Sequence, residues 1–180
     1  MPEIEIRPAI AADISDLVAL DHHYTSEHVW QMDFNHNWEA GLVTATFRQV
    51  RLPRPVRVEY PRSPHSLEVE WAQRSGILVA VLDGQPVGYA SLTLGRAPHT
   101  AWITDLVVNR PLRGKGIGTG LVLAAIEWSA SMNCRNLVLE MQPKNYPAIQ
   151  FASRLGFEFC GYNDLYYANQ DIGIFFCKSW

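Results

Sequence analysis

The chain has 180 residues, 48% of them hydrophobic and 18% charged, with a formal net charge of −3. That length suits one domain over residues 1–180 with a sizeable core, and the composition excludes a disordered polyelectrolyte. The slight acidity argues against a general nucleic-acid binder, and three cysteines, Cys134, Cys160 and Cys177, neither pair completely nor space as a zinc motif. That cysteine usage suggests a reducing compartment. The start, Met1-Pro2-Glu3-Ile4-Glu5, is acidic and lacks the basic-then-apolar layout of a signal peptide. The longest apolar run, Ile77 to Leu82, is far short of the ~18 residues that suggest a membrane span. A cytoplasmic protein with no membrane or nucleic-acid partner is therefore expected.

Ile4 to Arg7 alternates like a first strand, and Asp13 is placed to cap a helix with Ile14, Leu17, Val18 and Leu20 on one face. Residues Asp21 to Trp38 are crowded with histidines and aromatics and have no clear period. Val43 to Leu52 reads as a strand ending at Pro53, and four prolines between Pro53 and Pro64 argue against a long regular element. Leu67 to Arg74 suits a short helix. A hairpin follows: Gly76 to Leu82, a turn at Asp83-Gly84, then Pro86 to Leu94. Ala101 to Val108 is a further strand. Ile117, Leu121, Ala124, Ala125, Trp128 and Met132 mark one face of a long helix. Leu137 to Met141 is a strand, and Pro147 to Leu155 a helix with Pro147 in its first turn and Gly156 past its end. Two strands, about Phe157 to Tyr167 and Ile172 to Lys178, close the chain. With no repeat or linker, the order is mixed α/β with mostly adjacent antiparallel strands.

The most informative stretch is Val107-Val108-Asn109-Arg110-Pro111-Leu112-Arg113-Gly114-Lys115-Gly116-Ile117-Gly118-Thr119-Gly120, where a strand ends, glycines alternate and an amphipathic helix begins. A helix N-terminus offers unpaired N–H groups and partial positive charge, and glycines let the backbone wrap closely round an anion. Two phosphate loops fail: Lys115 is followed by Gly116 rather than Ser or Thr, and glycine is missing three residues after Gly116 or Gly118. Glycines alone would also suit a plain strand-to-helix turn.

Arg113-Gly114-Lys115-Gly116-Ile117-Gly118 resembles the [Arg/Gln]-x-x-Gly-x-[Gly/Ala] acetyl-coenzyme A loop of the GCN5-related N-acetyltransferases (GNAT). Asn145, Ala148-Ile149 and Leu155-Gly156-Phe157 resemble that superfamily's Asn-x-x-Ala-Ile-x-x-Tyr-x-x-x-Gly-Phe segment. The resemblance spans Ala101 to Phe157 and implies the acyl-CoA N-acyltransferase fold. That fold has a central, mostly antiparallel twisted sheet, splayed between two parallel strands and flanked by helices. It implies that Ala101–Val108 carries a bulge and diverges from Leu137–Met141, with the pantetheine arm in the gap. Leu106, Val107 and Val108 would then contact pantetheine. Arg113, Gly114, Lys115, Gly116, Ile117, Gly118 and Thr119 would hold the pyrophosphate. Asn145 would bond to the pantetheine arm.

The implied chemistry is direct acyl transfer from a thioester to an amine, helped by a base because a lysine-like amine has a pKa of ~10.4. A backbone N–H at the bulge, near Val107, would stabilise the oxyanion. Glu140 is the first candidate base: it sits mid-strand, where a carboxylate is costly unless paired or functional, and it matches a glutamate five before the asparagine in ribosomal-protein acetylating members. Asp105 on the facing strand is the second. The superfamily's usual tyrosine is Ala152 here. Of Tyr146, Tyr162, Tyr166 and Tyr167, Tyr166 is the substitute chosen as general acid, all but Tyr146 being read on the penultimate strand.

His22, His23 and His28 lack metal-ligand spacing, so no metal is expected. The resemblance implies that residues Asp21–Trp38 wall the acceptor site, with Tyr24, Trp30 and Asp33 receiving a cationic amine; ordinary packing of an early helix pair is the alternative. Arg48, Arg51, Arg54, Arg57 and Arg62 read as a solvated basic face, with an acidic partner or a homodimer contact as the alternatives. The partners implied are acetyl-CoA and an amine acceptor. The run Gly156 to Tyr167 resembles streptothricin-acetylating members, pointing to a small, antibiotic-like cation; the alternatives are a ribosomal-protein or peptide N-terminal acetyltransferase and a non-catalytic coenzyme A sensor.

Overall fold

The apolar run Ile77–Val81 is too short for a buried helix and has no polar alternation, as expected of a strand covered on both faces. In the structure, a computed structural model that describes residues 4–180, this run lies near the middle of the core. Seven strands form one sheet: β1 (Ile4–Pro8), β4 (Gly76–Leu82), β5 (Gln85–Ala97), β6 (Thr100–Val108), β7 (Asn136–Met141), β9 (Gly173–Ser179) and β8 (Glu158–Asn163), in that spatial order. Every neighbouring pair is antiparallel except β6–β7, which is parallel.

Helices cover both faces. Leu78 and Ala80 point towards the helices α3 (Ile117–Ser131) and α4 (Tyr146–Arg154), which bury Ile117, Leu121, Val122, Ala125, Ile149 and Ala152. Ile77, Val79 and Val81 point the other way, against α1 (Ile14–Val18) and α2 (Ser66–Glu70) through Ile14, Leu17 and Leu67. On α3 the buried stripe takes in Val122, whereas Met132 lies past the helix end and is exposed. The Trp128 indole lies against Gly76, where a Cβ would come within 2.8 Å of the ring, so this strand start tolerates only glycine in that packing. Asp13 belongs to the first helical turns but does not cap α1. Its carboxylate accepts the Ile10 N–H at 2.8 Å and the Arg7 guanidinium at 2.8 and 2.9 Å, fastening the helix start to β1.

Residues 24–58 depart most from expectation. The stretch without a period is a long strand, β2 (Tyr24–Asn37), and β3 (Leu42–Val58) runs straight through Pro53 and Pro55. The two form a separate antiparallel ribbon. Its register jumps from Ser26↔Val56 to His28↔Arg51, so Leu52 to Pro55 bulge out opposite Glu27 and the prolines interrupt no ladder. The near half of the ribbon is docked: the Trp30 N–H donates to the Pro143 carbonyl at 2.9 Å, and its ring packs on Phe47, Phe159 and Phe176. The penultimate strand ends at Asn163, with Leu165 and Gln170 in left-handed conformation (φ 52° and 65°). Tyr166 and Tyr167 therefore lie on a loop, not on β8.

Candidate active site

β6 and β7 pair only from Thr100↔Asn136 to Ile103↔Leu139; beyond that the parallel strands diverge. The divergence begins where the β5–β6 register slips, between Leu92↔Ile103 and Ser91↔Asp105, which makes Thr104 the bulged residue. This is three residues before the position expected from sequence. Past the bulge the Asn109 N–H donates to Val87, so by antiparallel alternation Val107 exchanges its bonds with Tyr89. The N–H groups of Leu106 and Val108 thus face the gap. That of Val107 does not, which corrects the expectation that it would meet an oxyanion.

Three adjoining cavities, the middle one sharing lining residues with each of the others, lie at this gap. On the α3–α4 side a cleft of about 510 Å³ is lined by Leu106, Val107, Val108, Arg113, Gly114, Gly116, Gly118, Thr119 and Asn145, with His22, Tyr24 and Tyr60 across from them. A neck of about 70 Å³ lies between the strands, lined by Tyr60, Arg62, Thr104, Leu106, Glu140, Asn145 and Tyr167. A wide groove of about 960 Å³ opens on the opposite face between Arg62, Arg74, Arg96, Trp102, Tyr166, Tyr167 and Phe175.

The cleft fits a diphosphate. Gly114 and Gly116 adopt φ of 78° and 89°, flanking Lys115, and turn the chain so that α3 starts facing the cleft. The first N–H with a helical partner is that of Gly120, bonded to Gly116, which leaves the Ile117, Gly118 and Thr119 amides free for an anion. The Ile117 side chain is in the core, so only its main chain can serve. Lys115 is exposed and does not line the cleft. Arg113 is the frame of the loop: its three nitrogens donate to the carbonyls of Val108, His23 and Asp21 at 2.8, 2.7 and 2.6 Å. Burial pulls its guanidinium below the ordinary value. Asn145 caps α4 through Oδ1, which accepts the Ala148 N–H at 3.2 Å; its Nδ2 has no partner among the described residues. His22 is held neutral by burial, with Leu20 and Tyr89 as its hydrogen-bond partners.

At the neck, two buried carboxylates sit on facing strands. Glu140 accepts hydrogen bonds from Arg62 on Oε1 and from Arg96 and Tyr166 on Oε2. Asp105 accepts the Tyr60 hydroxyl at 2.8 Å and Arg74 at 2.6 Å, and it does not line the neck. Arg62 joins the two strands: it donates to the bulge carbonyl of Thr104 at 2.7 Å, lies 3.7 Å from Asp105 and binds Glu140. Burial works against the Arg62 charge, but Asp105 and Glu140 together hold its guanidinium above the ordinary value. The sequence grouped Arg62 with a solvated strip; only Arg48, Arg51, Arg54 and Arg57 are exposed in that way. Tyr166 donates to Glu140 at 2.7 Å, and its phenol is pushed up to about 12 by burial and by Glu140. It lines the groove but not the neck, whereas Tyr167 lines both.

Residues 21–38 do not wall the groove. Tyr24 faces the cleft and donates to Gln142 at 2.6 Å, Trp30 is in the ribbon's aromatic cluster, and Asp33 pairs with Arg48 on the surface. The segment Pro61–Ser75 and the β8–β9 loop build the groove instead. Among the described residues no cluster of metal-ligand side chains occurs, and no helix is long and apolar enough to cross a membrane.

Residues 42–157, well over half of the chain, match the acetyltransferase (GNAT) family. The chain belongs to that family. It is 28% identical to the streptothricin acetyltransferase of Streptomyces lavendulae over 91% of this chain and 86% of that protein. The crystal structure of nourseothricin acetyltransferase superimposes with a TM-score of 0.81 at 23% identity, covering 98% of both chains. A putative streptothricin acetyltransferase from Bacillus anthracis, solved in complex with acetyl coenzyme A, gives 0.78 at 19% identity over 99% of both. The GNAT chain described here is thus an acetyl-CoA-dependent N-acetyltransferase with the fold expected from its sequence.

Proposed function

We propose that this GNAT enzyme transfers the acetyl group of acetyl-CoA to a primary amine on a small, antibiotic-like molecule of the streptothricin type. The observation that carries the reading is the row of adjoining cavities, cleft, neck and groove, which would bring donor and acceptor together from opposite faces of one sheet. The near full-length similarity to a streptothricin acetyltransferase supports the acceptor class. In the cleft, the amides of Ile117, Gly118 and Thr119 hold the diphosphate while Leu106, Val108 and Asn145 hold the pantetheine arm. The thioester this places at the neck supplies an activated acetyl group.

Glu140, at the wall of the neck, takes the proton shed by the nitrogen as the C–N bond forms. Tyr166 and Arg96 keep its Oε2 in place. Asp105 serves as the anchor of Tyr60 and Arg74 rather than as a base. Arg74 pairs with Asp105 and Glu70 while Arg62 and Arg96 pair with Glu140, so selection of the acceptor falls to the groove's aromatic faces and hydroxyls.

One observation favours a second reading: the groove is open along its length rather than an enclosed acidic pocket, as an extended peptide N-terminus needs. Thiol release with acetyl-CoA, measured on streptothricin, on small aliphatic diamines and on peptides with free N-termini, separates the two. The proposal expects kcat/KM for streptothricin at least tenfold above any peptide; a peptide preference of that size would replace it with N-terminal acetylation.

A further inference from the structure

Glu140 lines the neck but not the groove, whereas Arg96 and Tyr166 line the groove but not the neck. These two side chains therefore stand between an acceptor in the groove and the carboxylate that takes its proton. They do so at one oxygen: Arg96 and Tyr166 both donate to Glu140 Oε2, while Arg62 holds Oε1. A carboxylate oxygen has two lone pairs, and those of Oε2 are both taken. An incoming amine meets Oε2 only once Arg96 has left it.

Arg96 is placed where it can leave. It ends a break in the β5–β6 ladder, where Leu94, Gly95 and Arg96 stand opposite Ala101 alone and Gly95 adopts φ of 84°. Its side chain is 35% exposed, and its hydrogen bonds, to Glu140 and Tyr166, both run through Nη1. Arg62 and Arg113, by contrast, bond through two and three nitrogens. Departure of Arg96 does not strand Glu140, because Arg62 keeps Oε1 and Tyr166 keeps Oε2.

What Arg96 leaves behind suits a cation. Its guanidinium lies 5.2 Å from the Trp102 ring centroid and 6.0 Å from that of Tyr166. Phe175 joins the two rings, meeting Trp102 at 5.0 Å and Tyr166 at 5.2 Å, each edge to face. Three aromatic rings beside a fully buried carboxylate attract an organic cation through the ring quadrupoles and through charge. Among the described residues, the Trp102 N–H is the one buried side-chain nitrogen or oxygen without a hydrogen-bond partner. A ring held there at that cost serves through its face, and its face is where Arg96 lies.

We propose that Trp102, Tyr166, Phe175 and Glu140 form the seat of the acceptor's ammonium group, and that Arg96 fills this seat in the free enzyme as a displaceable stand-in. The acceptor's cation replaces the guanidinium on the Trp102 face and beside Oε2, and the Arg96 side chain turns out to solvent. The enzyme thereby selects acceptors that arrive positively charged at the reacting nitrogen. Their apparent affinity is reduced by the fraction of molecules in which the seat is already empty.

This inference rests on the reading of the groove as the acceptor's side, and the test separates the two. Methylguanidinium, a copy of the Arg96 head group, is titrated into wild type and Arg96→Ala with no acceptor present, and the Trp102 indole resonance is followed. It should bind the variant at least tenfold more tightly than wild type, whose seat is filled. No binding to the variant, or equal binding to both, would overturn the seat. In turnover with acetyl-CoA and streptothricin, Arg96→Ala should lower the acceptor KM about tenfold, and methylguanidinium should inhibit the variant competitively against streptothricin. A KM that holds or rises, or a variant whose turnover methylguanidinium restores, would mean that Arg96 works from its present place and would sink the proposal. Should Arg96→Ala not fold, wild type labelled with ¹⁵N-arginine decides. The Arg96 Nε–H, shifted by the Trp102 ring, should move to the position of a solvated arginine in the dead-end complex with coenzyme A and streptothricin; a resonance that stays in place with streptothricin bound contradicts displacement. If methylguanidinium behaves as expected but streptothricin neither binds nor is turned over, the seat stands and the acceptor proposed above falls.

Discussion

Replacing Glu140 by glutamine is expected to lower kcat about 10²–10⁴-fold, the range in which a positioned general base works. The side chain is fully buried at the neck, and among the described residues no other carboxylate lines that cavity. Glutamine keeps the shape but offers an amide that cannot take a proton. The cofactor cleft is built from other elements, α3 and the start of α4, so the Kd for acetyl-CoA should change less than threefold. Wild-type turnover should rise with pH as the acceptor amine deprotonates, towards ~10.4 for a lysine-like group. The variant should remain below it throughout, with a changed profile where the carboxylate no longer contributes. A pH–rate profile and kcat equal to wild type would remove Glu140 from the reaction.

Arg62→Met is expected to cost about 3 kcal/mol of stability, the lower end of the cost of breaking a buried ion pair, since Arg62 is a quarter exposed. For a domain of this size that lowers Tm by roughly 6–12 °C. The physical reason is the number of groups left behind. Glu140 Oε1 loses its donor, the Thr104 carbonyl at the bulge loses another, and the Tyr167 ring loses the cation above it. Arg96 and Arg74 keep partial hold of the two carboxylates, which limits the damage. The double variant Arg62→Met/Glu140→Gln should be less destabilised than the sum of the singles, because the stranded charge is gone. Additive losses in thermal unfolding would mean that the Arg62–Glu140 contact contributes nothing.

Where local chemistry decides structure, the sequence was readable. The Asp83-Gly84 hairpin, the glycines opening α3 and the mid-strand Glu140 are each imposed by the conformation or burial of single residues, and each appears where expected. The β2–β3 ribbon was not readable, because only its near half is covered, by β8, β9 and α4, and a half-covered strand shows no period over its length. Pro53 and Pro55 added a false stop, since the bulge that accommodates them exists only once the partner strand is known. Arg62 was hidden for a different reason. Its partners Thr104 and Glu140 lie 42 and 78 residues away, so its part in the site is created by topology. One signal pointed towards it: a carboxylate in a buried strand requires a cation, and the nearest in sequence, Lys144, pairs with Asp171 instead. Tyr167 was misplaced because the aromatic-rich run from Phe157 to Tyr167 imitates a strand, whereas the left-handed residues Leu165 and Gln170 fold its end into the loop that closes the neck.

The account stands on the first amides of α3 gripping a diphosphate so that the thioester reaches the gap between β6 and β7. Titrating ¹⁵N-labelled protein with acetyl-CoA tests this most directly. The largest amide shifts should fall on Gly114, Gly116, Ile117, Gly118 and Thr119, with a second set on Leu106 and Val108 facing the gap. Saturable binding that leaves those resonances in place, and moves others instead, would contradict it.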